Sequence, residues 1–440
     1  MDVKLWLSAR LAASIVKRRP ALSAFVVGLV AVVGGSWIWW ATQLRGLPDI
    51  SEPFDLAATG TVDIPAGRNA FVEYRHVSTL LRRPWPKSGP SIPGDFDSRE
   101  EWSNADPAWR DHVEASRDAL AVWLRGTARP DALYLQPKDV NAGTILPVID
   151  DLKGLGRMAA MEGTLRLDRD DPAGAWTWFR AILRSSRHCG RHGCMIERSV
   201  GVALHAVAYR RLAKWAADPR VDAALLREAL AEVIAVDART PPASDGLKME
   251  YRMFLKLLGE HGDALDRNLA LIASPPSSGD LSSCWKYWAA PGARGAVQGA
   301  CLALKDERER SLRVGRLLVA NWLAQVDKPA GLRAEAVHQG PLIYRSGGGD
   351  PPASRAISPE DLARWYDSSF IVTRSIPDPA RWLRTLQGER VRQAKLIVVL
   401  ASELYRRDRG TAPAHPKVLV GPYLGSLPEG YDSADDAPAR

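Results

Sequence analysis

The sequence predicts a mainly α-helical protein, with an N-terminal transmembrane helix followed by an extracytoplasmic stack of irregular, repeat-like αα-hairpins. Three observations predict this fold class: an uncharged apolar stretch near the N-terminus, apolar residues at helical spacing beyond it, and Asp-Pro or Ser-Pro pairs where helices should begin. The 440 residues are 46% hydrophobic and 25% charged, which is typical of globular proteins and excludes collagen-like, low-complexity and wholly disordered chains.

Residues 1–20 form a basic amphipathic segment that we expect in the cytoplasm. Its apolar residues share one helical stripe, and Lys4, Arg10 and Lys17 lie off that stripe. A helix of this kind lies on the inner leaflet because its cations are attracted to anionic lipid. A frayed tail is the alternative for so short a piece.

Residues 21–42 form the predicted transmembrane helix, and no charged residue occurs from Ala21 through Leu44. At about 1.5 Å per residue this helix is about 33 Å long, compared with a hydrocarbon core of about 30 Å. Trp37, Trp39 and Trp40 are expected to anchor its outer end at the membrane interface.

Basic residues precede this segment and acidic residues follow Arg45, which predicts a cytoplasmic N-terminus and a single pass through the inner membrane. A cleaved signal peptide is the competing interpretation, but its apolar region usually has only about 7 to 15 residues. We therefore expect an uncleaved anchor, with everything after Arg45 outside the cytoplasm.

Residues 43–105 are rich in proline and glycine, which predicts a stalk with little regular structure. A few apolar residues indicate that part of the stalk packs on the body: Phe54, Val62, Ile64, Phe71, Val72 and Tyr74.

Residues 106–330 are predicted to form the helical hairpin domain. An oxygen-bearing N-cap followed by proline is a typical helix start, because proline at the first helical position loses no hydrogen bond. Such pairs are Asp106-Pro107, Asp171-Pro172, Asp218-Pro219, Ser358-Pro359 and Asp378-Pro379. Two apolar stripes support the helices, one over residues 225–234 and one over residues 394–405.

Two αα-hairpins are predicted in this domain. The first covers residues 163–187, with Trp176, Phe179 and Leu183 inward, and the second joins residues 195–217 to residues 222–237. Residues 175–181 after Asp171 resemble the tetratricopeptide repeat, although no period of about 34 residues recurs.

A loop is predicted over residues 274–300, with helices resuming over residues 301–326. Residues 331–440 are predicted to hold C-terminal helices and a terminal module. The longest helix should run from residue 379 to about residue 409, with Gly410 as its C-cap.

Three pieces of sequence match a pattern found elsewhere. They are GLPDISEPFD with NAFVEY, in residues 46–55 and 69–74; RHCGRHGCMIERSVGVALHAVA with GLKMEYRMFL, in residues 187–208 and 246–255; and ELYRRDRGTAPAHPKVLVGPYLGSLPEGY, in residues 403–431. In these pieces the chain resembles uncharacterised bacterial proteins with one N-terminal membrane helix, a helical exterior domain and a short terminal module. The resemblance implies no known activity.

The last piece is also similar to the end of type II secretion pseudopilins, where a helix ending in Tyr, a basic-Asp-x-Gly turn and Tyr-Leu precede Pro-Asp-Pro. Here the chain reads Leu427-Pro428-Glu429-Gly430, so the calcium site of that family is not carried over. The N-terminus also lacks the Gly-Phe-Thr processing site of a pilin. The sequence therefore predicts a pseudopilin-like terminal motif in a protein that is not a pilin.

His188, Cys189, His192 and Cys194 place four soft ligands within seven residues, which raises zinc or copper binding as a hypothesis. A closed tetrahedral site normally takes its ligands from two separated pairs, and glycines interrupt this run. A structural turn is therefore favoured, and no metal or cofactor is predicted.

Cysteines outside the cytoplasm can form disulfides. Cys284 and Cys301 bracket the predicted loop, and a bond between them would contribute about 3 kcal/mol by restricting the unfolded chain. Cys189 and Cys194 can pair only if their turn brings the Cα atoms within about 7 Å. Both pairings stay open.

No catalytic residue is predicted, because the chain lacks phosphate-loop, nucleophile-elbow, zinc-protease and kinase motifs. His205 and Glu250 lie in helical stretches, where a hydrogen-bonded core group is the commoner explanation. The net charge of +8 is spread along the chain, which argues against a nucleic-acid partner.

We therefore expect a membrane-anchored protein-interaction or scaffolding module of the cell envelope, bound to lipid through residues 21–42 and to a protein partner. Stacked hairpins build concave surfaces without special residues. An envelope hydrolase assembled from distant residues is the alternative. An accessory role in a secretion or pilus-like system is a weaker one, and it depends on the terminal module.

Overall fold

The structure, a computed structural model, is mainly helical. It describes residues 46–86, 101–259 except 142, 143 and 145, 307–337, 341–345 and 357–431, together with Gly28, Gly34 and Gly35. The α-helices of these ranges are α1 (Ala70–Leu80), α2 (Pro107–Ala115), α3 (Arg117–Thr127), α4 (Pro147–Asp168), α5 (Pro172–His188), α6 (Met195–Ala217), α7 (Ala223–Asp237), α8 (Ala243–Gly259), α9 (Glu307–Leu323), α10 (Pro359–Ser368), α11 (Phe370–Ser375) and α12 (Ala380–Arg409).

The predicted segments 1–20 and 21–42 lie outside the described residues, apart from the three glycines, and so do the anchors Trp37, Trp39 and Trp40. Within the ranges given above, none of the helices combines the length and the apolar character that a membrane crossing requires.

Helix starts follow the predicted capping chemistry at most of the expected positions. Asp106, Asp171 and Ser358 accept hydrogen bonds from backbone N–H groups two or three residues ahead, at 2.8, 2.7 and 3.0 Å. Asp378 accepts from the amide of Ala380 at 3.1 Å. These bonds satisfy donors that the first helical turn leaves without partners.

The predicted start at Asp218 is wrong. Both carboxylate oxygens of Asp218 accept from the side chain of Arg220, at 2.9 and 2.6 Å, which holds the segment in a turn. Helix α7 begins later, and Asp222 caps it by accepting from the amide of Leu225 at 2.8 Å.

The stalk prediction is wrong for residues 70–80, which form α1. Asn69 caps this helix, and its side chain also accepts from the amide of Leu133 at 2.9 Å. Phe71 and Tyr74 are buried as expected, whereas Val72 is 44% exposed. Apolar residues at helical spacing bury one face of α1 against α3. The stabilisation from this burial outweighs the tendency of the flanking prolines and glycines to disfavour a helix.

Helices α4 and α5 pack on each other, and both contact α6. Trp176, Phe179 and Leu183 are buried between them, as predicted. The prediction that α6 and α7 form a second hairpin is wrong. Both helices make their extensive contacts with α12 and α5 and not with each other. The physical reason is the buried stripe of α12, which both helices cover.

Buried apolar side chains form two main clusters. The larger takes residues from α1 to α7 and from the C-terminal half of α12. The second takes residues from α8 to α11 and from the N-terminal end of α12, including Trp382 and Leu386. Helix α12 ends at Gly410 in the left-handed conformation, φ 75°, as predicted. This helix therefore belongs to both cores.

We expect Gly163→Ala to lower the free energy of unfolding by about 1 to 3 kcal/mol, because a methyl group there would lie 2.3 Å from Cε1 of buried Phe179. Gly388→Ala is the matched control in α12, where the nearest atom is 3.5 Å away. The control should gain up to about 1 kcal/mol from helix propensity. Thermal unfolding of the full-length chain in detergent measures both changes, and equal effects would contradict the packing assigned to Gly163.

Candidate functional site

A cleft of about 850 Å³ lies beside the middle of α12. Its walls come from three parts of the chain: α12 itself, the C-terminal end of α7 with the following loop, and residues 424–430 of the terminal module. Residues 327–331 close one side. This volume lies within the usual range of ligand sites, about 300 to 1,000 Å³.

The wall of the cleft includes a buried ionic cluster. Glu389 projects from α12 between Arg187 of α5 and Arg198 of α6, and none of the three is more than 3% exposed. The Nη1 group of Arg187 donates to Oε1 of Glu389, and the Nη2 group of Arg198 donates to Oε2. A further bond from Arg198 Nη1 reaches Oε1 at 3.3 Å. One carboxylate thus joins three helices.

The charge state of Glu389 follows from two opposing effects. Burial by itself would raise its pKa, but the positive charges of Arg187 and Arg198 outweigh burial and hold the pKa at about 2. Glu389 is therefore ionised throughout the physiological range.

His205 and Gln393 continue this polar layer. Nε2 of His205 lies 2.8 Å from Oε1 of Gln393, whose Nε2 donates to the carbonyl of Val233 at 3.0 Å. The side-chain carbonyl oxygen of Gln393 can only accept a hydrogen bond. Nε2 of His205 must therefore be the donor and carry the imidazole proton. Burial, together with the charge of Arg187, lowers the pKa of His205 to about 3. Both Glu389 and His205 thus keep one protonation state near neutral pH, which suits positioning and not proton transfer.

The open part of the cleft has an excess of acidic groups. Its charged residues are Asp237, Asp327, Glu389, Glu429, Arg187 and Arg390. Glu389 is neutralised within the buried cluster and Asp237 lies 3.9 Å from Arg187, so the exposed carboxylates left beside Arg390 are those of Asp327 and Glu429. Ile234 also lines the cleft and is 44% exposed. The sequence stripe placed Ile234 inward, but the buried face of α7 passes through Val233 and Val236 instead.

The structure separates the four predicted soft ligands. The ring of His188 is occupied on both nitrogens, by the hydroxyl of Tyr74 at 2.7 Å and by the carbonyl of Arg129 at 3.0 Å. His192 lies beside Asp245, with 3.8 Å between Nδ1 and Oδ2. Among the described residues, no three His, Cys, Asp or Glu side chains are arranged to hold a metal ion.

Cys189 and Cys194 are buried free thiols in the structure, so the pairing left open between them is not formed there. They belong to different apolar clusters: Cys189 to the larger one, and Cys194 to a small one with Val140 and Met249. The thiol of Cys194 also lies 3.8 Å from Oε1 of Glu197. Burial raises the pKa of both thiols, that of Cys194 to about 12. The pair Cys284 and Cys301 lies outside the described residues and stays a prediction.

No protein family, curated protein or solved structure matches the chain. The resemblances to uncharacterised membrane-anchored proteins and to pseudopilins therefore stay hypotheses. Only the geometry of the cleft indicates what it can bind.

The sequence did not single out Arg187, Glu389 or Gln393 as site residues. A signal was present, because Glu389 and Gln393 share the helical face that carries Leu386 and Leu396. Charged or amide groups on an apolar face indicate a partner from another helix. Glu197 was also missed. Burial raises its pKa to about 7, as it does for Glu250, which accepts from the amide of Met195 at 3.1 Å.

Glu389→Gln should lower the free energy of unfolding by about 3 to 5 kcal/mol, because it leaves the buried Arg198 without its ion-pair partner and Arg187 with only Asp237, 3.9 Å away. Glu403→Gln, in the same helix at a partly exposed ion pair, should change it by less than about 1 kcal/mol.

If Glu389→Gln does not fold, the triple replacement of Arg187, Arg198 and Glu389 by Met provides a second test. Removal of the whole cluster avoids unpaired charge, so the triple variant should be more stable than the single one. A single variant as stable as the native chain in thermal unfolding would show that the cluster does not hold these helices.

The free energy of unfolding should fall as pH rises from about 4.5 to about 7, because folded Glu197 retains its proton where the unfolded carboxyl loses it. Glu197→Gln should remove up to about 3 kcal/mol of this decline. Glu360→Gln, at an exposed helix start, should leave the profile unchanged. Urea titrations at a series of pH values measure the effect, and identical profiles for Glu197→Gln and the native chain would contradict it.

Proposed function

We propose that this chain is a single-pass, membrane-anchored helical protein of the cell envelope whose exterior domain binds an extended segment of a partner protein. The observation that supports the proposal is the cleft of about 850 Å³ between α7, α12 and the terminal module. Its wall is held by ion pairs in the core, so the cleft exists before the partner arrives. A preformed site loses little conformational entropy on binding.

The chemistry of the cleft specifies the kind of segment. The exposed carboxylates of Asp327 and Glu429 attract basic side chains, and Asp237, which lies 3.9 Å from Arg187, adds a third acidic group. Ile234 and the exposed Pro242 and Pro329 offer apolar contacts between those charges. The proposed ligand is therefore an extended peptide in which lysine or arginine alternates with apolar residues.

The ionisation of the cleft favours binding over the hydrolase alternative. A general acid or base works best with a pKa near the working pH. The pKa of Glu389 in this wall is about 2, and the pKa of His205, which is bonded to the wall residue Gln393, is about 3, so neither exchanges a proton near neutrality. Their role in the proposal is to hold α12 against α5 and α6.

The segment after the proposed membrane helix limits the distance between the exterior domain and the bilayer. Leu47 is buried in the second cluster, and Glu52 accepts from Arg316 at 2.6 Å and from the hydroxyl of Tyr251 at 2.6 Å. If the membrane helix ends at Thr42, five residues of at most about 3.5 Å each separate it from this anchored point. The domain would then lie within about 17 Å of the bilayer surface, and its partner would be a membrane-proximal protein.

A photo-crosslinking amino acid at Ile234 tests the proposal. With benzoylphenylalanine at this position, irradiation of intact cells should give a discrete crosslinked product, because the position lines the cleft and is 44% exposed. Mass spectrometry of the product should identify a peptide with basic and apolar residues. The product should remain with the membrane after alkaline carbonate extraction.

Ile196 is the matched control, since it is 66% exposed and lies outside the cleft. It should not yield the same product, and Asp237→Asn with Glu429→Gln should reduce the product from position 234 by at least about fivefold. The same product from both positions, or none from position 234, would exclude the cleft as the binding site. Extraction of the product by carbonate would contradict the membrane anchor.

A further inference from the structure

A second, small basic pocket shares Arg187 with the cleft. Its polar lining consists of Arg184, Arg187, His188, Arg191 and Arg239. The pocket has a volume of about 10 Å³, which is enough for one oxygen atom of a ligand or one water molecule.

The positive charge around this pocket is only partly compensated. Arg184 pairs with Glu232 at 2.6 Å, and Arg187 belongs to the cluster around Glu389 and also lies 3.9 Å from Asp237. Arg191 and Arg239 form no ion pair within the described ranges; the Nη2 group of Arg191 has a long bond to the carbonyl of Arg239, 3.4 Å. Two guanidinium charges at the pocket are therefore left without a carboxylate.

One buried polar atom of the pocket's lining residues has no partner. Nε of Arg187 is buried and has no hydrogen-bond partner in the structure, although Arg187 is only 3% exposed. His188 cannot serve as a donor to a ligand, because both its nitrogens are bonded to Tyr74 and Arg129. Burial lowers the pKa of His188 to about 4, with Arg191, Arg239 and Arg184 adding to the effect. The available donors are thus guanidinium groups alone.

Helix ends explain only part of this arrangement. Arg187 lies in the last turn of α5, where cations interact favourably with free carbonyl groups, and Arg184 comes before that turn. Arg191 and Arg239 follow two different helices, α5 and α7, and converge on one pocket. Convergence of uncompensated arginines from separate loops is the pattern of an oxyanion site.

We propose that this pocket binds a phosphoryl group. One oxygen enters the pocket towards Arg187 and Arg184, and the remaining oxygens lie at its mouth, where Arg191 and Arg239 bind them. A phosphate monoester or inorganic phosphate carries close to two negative charges, which matches the two uncompensated guanidinium groups. The group can belong to a soluble phosphate or to phosphatidic acid, the phospholipid whose phosphate is also a monoester, and the same arginines serve both.

The first experiment tests whether the pocket binds a soluble phosphate. The full-length chain in uncharged detergent is titrated with inorganic phosphate, and a titration with chloride at equal ionic strength is the control. Calorimetry should show one phosphate per chain, and Arg191→Gln with Arg239→Gln should weaken binding by at least about tenfold. The single variant Arg239→Gln changes an exposed residue and provides the same test if the double variant does not fold. Arg409→Gln, an exposed arginine at the end of α12, is the matched control and should bind normally.

Nanodiscs of phosphatidylcholine with or without phosphatidic acid test the lipid source. A rise in the unfolding temperature with phosphatidic acid, present in the native chain and lost in the double variant, would support binding of the lipid headgroup. Absence of both effects, or effects of equal size in the double variant, would overturn the proposal.

Discussion

The fold depends on one buried carboxylate. Glu389 lies on α12 between the stretch that packs in the second apolar cluster and the stretch that packs in the first, and it binds arginines from α5 and α6. Apolar stripes by themselves tolerate a shift of one helical turn, whereas these ion pairs hold only in one register. We expect the cluster to specify the position of α12 more than to add net stability, because desolvation of three charges offsets much of their attraction.

Two surfaces follow from this arrangement. Arg187 lines both the cleft and the basic pocket. The cleft has an excess of carboxylates and the pocket an excess of guanidinium groups, so the protein offers sites of opposite charge a short distance apart. A ligand at either site interacts with a side chain whose position is set by Glu389.

Most of the buried titratable groups are held in one ionisation state. The thiols of Cys189 and Cys194 are protected by burial, and the pKa values of Glu389, His188 and His205 are far below neutrality. Glu197 and Glu250 differ, because burial without a cationic partner raises their pKa to about 7. These carboxyls make the start of α6 the part of the described structure most sensitive to pH.

The sequence by itself determined the helical class, the capped starts at Asp106, Asp171 and Ser358, and the end of α12 at Gly410, because neighbouring residues decide these features. Its candidates in residues 188–194 do not form a site. Only the tertiary structure decided that α12 would take the place of a second hairpin, that Ile234 would face a cleft, and that Glu389 would meet Arg187, 202 residues earlier. Local hydrogen bonds and periodicity can be read from short segments, whereas pairing of distant charges depends on how whole helices pack.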